Sequence, residues 1–140
     1  MSKTLALLVL TTLAIGCHKA SPSTSAEIVA SELTHASGRS AKMCGLIRLG
    51  EDPSSAMSCA QTAVKSSQPF WVAIEHPGID SSIWDDALLS TGGLHQVFHY
   101  DSNPYGRKEL LPKLTRESCH TLIFTDNRDE PFACGFRDEP

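Results

Sequence analysis

Apolar positions along this chain fall into stretches of different period, separated by turn-forming residues. From Thr4 to Gly16 the chain is largely apolar for thirteen residues without a charge. That is well short of the roughly 20 residues a helix needs to cross a hydrocarbon core, so the run does not predict a membrane span. Over 25–37, Ile28, Val29, Leu33 and Ala36 fall near one helical stripe. Thr24 and Glu27 have capping-box spacing before them, and Gly38 supplies a stop, which predicts a short helix. Asp52-Pro53 is an N-cap and first-turn pair. Beyond it, Ala56, Cys59, Ala60, Ala63 and Val64 mark the buried stripe of a second helix ending near Ser67, with Cys59 facing inward.

The period then shortens. Phe70 to Glu75 predicts a strand with Phe70, Val72 and Ile74 on one face and Trp71, Ala73 and Glu75 on the other, ended by His76-Pro77-Gly78. Ser82 and Asp85 have capping spacing, and Ile83, Trp84, Ala87 and Leu88 form one side of a brief third helix stopped by Gly92-Gly93. Leu94 to Asp101 alternates as a strand, with Leu94, Gln96, Phe98 and Tyr100 set against His95, Val97, His99 and Asp101. Asn103 to Gly106 is a turn. Leu122-Ile123-Phe124 and Phe132 to Phe136, split by Asp126-Asn127-Arg128-Asp129-Glu130, read as a hairpin; a two-residue turn at Asp126-Asn127 sets Cys119 opposite Cys134, and a longer loop with a bulge is the other option. The class this predicts is α+β: a small disulfide-stabilised domain over 43–140, with a helix packed on an antiparallel sheet of about four strands.

Composition changes the picture at the amino-terminal side. Residues 18–42 contain thirteen Ala, Ser or Thr among twenty-five and no aromatic, too little apolar surface to offset ordering entropy, so 17–42 is expected to be a flexible tether, with the short 25–37 helix as the one piece able to order and dock on the domain. Lys3, the apolar run and the small residues Ala14-Ile15-Gly16 form the three parts of an export signal over 1–16. Leu13-Ala14-Ile15-Gly16-Cys17 resembles the lipobox of bacterial lipoproteins. The resemblance covers the first seventeen residues and implies that Cys17 receives a diacylglycerol and becomes the new amino terminus. Ala14 and Gly16 also suit an ordinary signal peptidase, which would cut at the same bond and leave the Cys17 thiol unmodified.

The chain has five cysteines, Cys17, Cys44, Cys59, Cys119 and Cys134, and an odd count in an exported protein leaves one thiol over. Acylation of Cys17 removes the odd one and leaves four for two bridges, the usual state of a small exported domain. Four cysteines allow three connectivities. Cys44–Cys59 and Cys119–Cys134 are favoured because each links neighbouring elements. There is no C-x-x-C motif to suggest redox work.

Without Lys3 the chain carries eleven basic and sixteen acidic residues, a formal charge of −5. With no Lys/Arg cluster to neutralise phosphates, a nucleic-acid partner is not expected. His76, His95, His99 and His120 are the candidate metal ligands, but strand spacing sets His95 and His99 about 13 Å apart, so either would have to team with His76 or His120. Asp101, Asn103 and Gly106 start like a calcium loop and lack its later ligands; Asp126, Asp129 and Glu130 suit a solvated hairpin tip. Asp80-Ser81-Ser82 lies near His76 in sequence without a nucleophile-elbow motif, so no catalytic set is assigned and no cofactor is expected. Trp71, Trp84, Tyr100 and Tyr105 form the candidate binding set if one sheet face is open; burial is the commoner fate of such residues.

Together these readings lead to an expected function. The chain is an envelope lipoprotein, anchored to a membrane through Cys17 and facing the periplasm or cell exterior, with a non-catalytic domain that binds a protein or glycan partner or serves structurally. The alternative is a periplasmic accessory enzyme or metal-binding protein using His76, His95, His99 or His120.

Overall fold

A computed structural model of the chain describes residues 24–104, 106 and 111–135. The export signal, Cys17, residues 18–23 and Tyr105 lie outside the described residues. The elements are α1 (Ser25–Ser37), β1 (Lys42–Ile47), α2 (Ser54–Lys65), β2 (Phe70–Pro77), β3 (Ser82–Leu89), β4 (His95–Asp101), β5 (Lys113–Cys119), β6 (Thr121–Phe124) and β7 (Phe132–Gly135). The class is α+β, with two helices on a mixed five-stranded sheet of order β1-β2-β3-β4-β5 and a separate β6-β7 hairpin. β1 runs parallel to β2, with α2 as the crossover, and every other pairing is antiparallel.

Both faces of the sheet are covered. On one, α2 and the hairpin bury Phe70, Val72, Ile74, Ala87 and Leu89 together with Ala56, Ala60, Ala63, Leu122 and Phe132. On the other, α1 lays Ala26, Val29 and Leu33 over Trp71, Ala73, Trp84, Leu88, Phe98 and Tyr100. The 25–37 helix is therefore docked on the domain, as the option of an ordered piece within the tether allowed. Its average composition is poor in apolar surface, but the few apolar residues all fall on one stripe, and a stripe is what a sheet face can bury. α1 is held at its start by a complete capping box between Thr24 and Glu27 and ends at Gly38, whose φ of 98° is unfavourable for residues with a Cβ.

The segment expected as a third helix is the central strand β3. Its apolar spacing fits a helix only because both faces are buried: a strand covered on both sides reads as a run, not an alternation. The capping hydroxyl assigned to Ser82 is otherwise engaged, accepting from Trp84 Nε1 at 2.8 Å and donating to Glu75 Oε1 at 2.7 Å. β1 and β5 carry weak patterns. β1 is interrupted by Gly45, where a Cβ would come within 2.7 Å of the Ala56 side chain; α2 packs directly on β1 there, and the ladder shifts between Met43 and Gly45. β5 is an edge strand whose first six residues are exposed, so no apolar alternation is required of it.

Cys44 is bridged to Cys59, tying β1 to α2, and Cys119 to Cys134, tying the end of β5 to β7. The hairpin register differs from a two-residue turn. Leu122 faces Cys134 and Phe124 faces Phe132, leaving 125–131 as the loop, while Cys119 itself pairs with His95 in the main sheet. Thr125 explains the longer loop: its N–H donates to Pro131 O at 3.0 Å, and its hydroxyl donates to Glu130 O and accepts from Asn127 N–H. At the start of α2, Pro53 takes the cap position. Asp52 accepts from the Ser54 hydroxyl and N–H, which hold its carboxyl below the usual range.

Candidate functional site

Three titratable side chains converge on the sheet face shared with α2. Asp85 of β3 lies opposite Ile74 on one side and His99 of β4 on the other, and His76 sits two residues farther along β2, within diagonal reach. His99 Nδ1 is 2.7 Å from Asp85 Oδ1; a carboxylate only accepts, so the imidazole is the donor. His76 Nε2 lies 3.3 Å from Asp85 Oδ2, buried and without an aligned hydrogen bond. Exposure grades across the cluster. The side chains of His76 and Asp85 are 12 % and 18 % exposed, and that of His99 is 50 % exposed, so the cluster opens to solvent through His99.

Beside His99 is an open groove of about 600 Å³ between β4–β5 and the hairpin loop. Val97 and Phe132 provide its apolar lining, and Asp85, Glu117, Asp129 and Glu130 bring carboxylates from β3, β5 and the loop. The strand-to-loop arrangement follows from the Cys119–Cys134 bridge, which holds the hairpin against the sheet edge. Arg116 also borders this region, but its guanidinium stacks over the Phe98 ring, 4.8 Å from the centroid, on the α1 side. The groove is therefore an acidic cleft with an apolar floor.

Comparisons with protein-family models, curated proteins and solved structures return no match.

The remaining expected site residues are dispersed. Trp71, Trp84 and Tyr100 are buried under α1 and present no recognition surface, because the face they occupy is covered rather than open. Of the four histidines, only His76 and His99 are brought together, through Asp85. His95 is at the opposite end of β4, and His120 lies in the link between β5 and β6. Among the described residues, no group of three or more His, Cys, Asp or Glu is arranged to hold a metal ion. Ser82 and His76 project from opposite faces of the sheet, so they cannot act together as nucleophile and base. Asp80 accepts from Asn103 Nδ2 at 3.2 Å, and Asp101 accepts from Asn103 N–H at 2.9 Å, which makes both of them loop-building residues.

Sequence reasoning missed Asp85 and its neighbour Asp86. The signal was present: two consecutive carboxylates inside the apolar stretch 83–89. Asp86 projects to the α1 side, across from Ala73 and Phe98, and neither of its oxygens has a hydrogen-bond partner. Burial, and secondarily the charge on Asp85, push its carboxyl well above the usual range. No helix among the described residues is long and apolar enough to cross a membrane.

Proposed function

We propose that this chain is a lipid-anchored protein of the bacterial cell envelope whose domain binds a partner without catalysis, taking a cationic peptide segment into the groove beside His99. The observation that carries the binding role is the convergence of carboxylates from β3, β5 and the hairpin loop around an apolar floor of Val97 and Phe132. Exposed ion pairs contribute only about 0–1 kcal/mol each, so the carboxylates select and orient while the floor supplies most of the affinity. The partner segment should thus carry an apolar side chain next to Lys or Arg. Support for the anchor is the pattern Leu13–Cys17, together with the pairing of the other four cysteines, which makes Cys17 the odd one.

A second reading, zinc at His76, Asp85 and His99, would need the three side chains to rearrange, because they contact one another directly and are not arranged around an ion. Photo-crosslinking in intact envelopes separates the two. A crosslinker at Thr115, in the groove, should yield a discrete protein adduct, and the same group at exposed Lys65 on α2 should not. Charge reversal by Glu117→Lys with Asp129→Lys should abolish the adduct. Equal labelling from both positions, or an adduct that survives reversal, contradicts the groove reading. Stoichiometric zinc lost on His99→Ala would replace it with the second.

A further inference from the structure

The loops at one end of the sheet carry exposed apolar side chains. β1 ends at Ile47 opposite Ile74, the β2–β3 turn joins Pro77 to Ser82, and Asp101 at the end of β4 faces Lys113 at the start of β5. Residues 48–53, 78–81, 102–104 and 111–112 therefore share that end. Ile79 is 106 % exposed at the tip of the β2–β3 turn and Leu111 is 86 % exposed just before β5, the two most exposed large apolar residues described; Leu49 adds a third at 58 %. A single exposed apolar side chain is ordinary, but three at one end of the sheet mark that end for contact. Two of these segments are tied down: Asp80 accepts from Asn103 and Ser82 N–H donates to Ser102 Oγ at 2.7 Å, joining the β2–β3 turn to the start of the β4–β5 link, while Leu49 N–H donates to Glu75 Oε2 of β2 at 3.2 Å.

The chain enters the domain at the same end. The carboxyl end of α1 is at the opposite one, where Thr91 N–H donates to Ser37 O and Lys42 pairs with Phe70. Thirteen helical residues span about 20 Å at 1.5 Å each, which brings Thr24 back toward the Ile79 end. From there Cys17 is seven residues away, a reach of at most about 25 Å even fully extended. The geometry points to a membrane-docking surface: Ile79, Leu111 and Leu49 insert into the boundary between headgroups and acyl chains of the bilayer that holds the lipid on Cys17. This rests on the proposed acylation of Cys17. Charges of both signs stand around them, Arg48, Glu51, Asp52, Asp80 and Asp101 among the described residues, so apolar insertion rather than attraction to anionic lipid is the contact. With this end down, the strands stand on the membrane and the groove opens sideways, parallel to the bilayer.

The test uses full-length acylated protein in vesicles of phosphatidylethanolamine and phosphatidylglycerol, with an environment-sensitive fluorophore on Ile79→Cys or, at the opposite end, on Leu94→Cys. Mass spectrometry of each preparation reads the state of Cys17. The label at 79 should be blue-shifted and quenched by brominated lipid, and the label at 94 should show neither effect. Replacing Leu111 with Asp in the Ile79→Cys chain should weaken the quenching. With Cys17 verified as acylated, an Ile79 label that stays in water, or equal quenching at 79 and 94, overturns the docking surface alone. Protein without a diacylglycerol on Cys17 removes the anchor and this surface with it.

Discussion

Asp86 carries a carboxyl with no hydrogen-bond partner in the core beneath α1, and burial raises its pKa well above the usual range. Between the ordinary carboxylate value and the raised one, the folded chain holds a proton that the unfolded chain has lost. Stability therefore falls as pH rises through that window, and the cost is present near neutrality. Asp86→Asn should be more stable than the parent by about 1–3 kcal/mol near pH 7, with the gap closing below about pH 4, where both states of Asp86 are protonated. Urea unfolding at the two pH values checks this, and a gap independent of pH would contradict it. Its neighbour Asp85, by contrast, is partnered, with both oxygens facing imidazoles on the open side of the sheet. Two adjacent residues of one strand thus divide between core and site, a division set by strand alternation. Nothing in the spacing of Asp85 and Asp86 reveals it while β3 is taken for a helix.

At the scale of elements, what the sequence makes legible tracks how one-sided each environment is. α1 and β4 show clean periods because each has one buried face, and their expected bounds of 25–37 and 94–101 lie within a residue of those observed. β3 misleads because both its faces are buried, and β1 and β5 are silent because they lie at the sheet edges. The hairpin was visible as two apolar runs, whereas its seven-residue loop depends on the hydrogen bonds of Thr125. Since the hairpin wall of the groove is held by Cys119–Cys134, which closes a separation of 15 residues, Cys119→Ala with Cys134→Ala should cost about 3 kcal/mol on the chain-entropy model. Hydrogen exchange should accelerate in 121–135 more than in α2. Uniform acceleration across the domain would show instead that the bridge supports the whole fold.

The described residues form three layers, α1, the sheet, and α2 with the hairpin, and this layering explains why Trp71, Trp84 and Tyr100 are buried. A one-sided core would have left Trp71 exposed; docking of α1 covers it, and the open groove lies at the edge of the other face, between β5 and the hairpin. No spacing in the sequence encodes that groove, because its walls come from segments brought together by long-range pairing. In the proposed reading, the orientation of the domain, the side of the envelope it meets and the partner it can reach all hang on Cys17. The most direct measurement is the mass of the amino-terminal peptide of the protein isolated from membranes. The account predicts a peptide beginning at Cys17 and bearing a thioether-linked diacylglycerol, with Cys17→Ser giving unprocessed or soluble protein. A membrane-associated chain that retains residues 1–16, or a soluble chain with an unmodified Cys17, would contradict it.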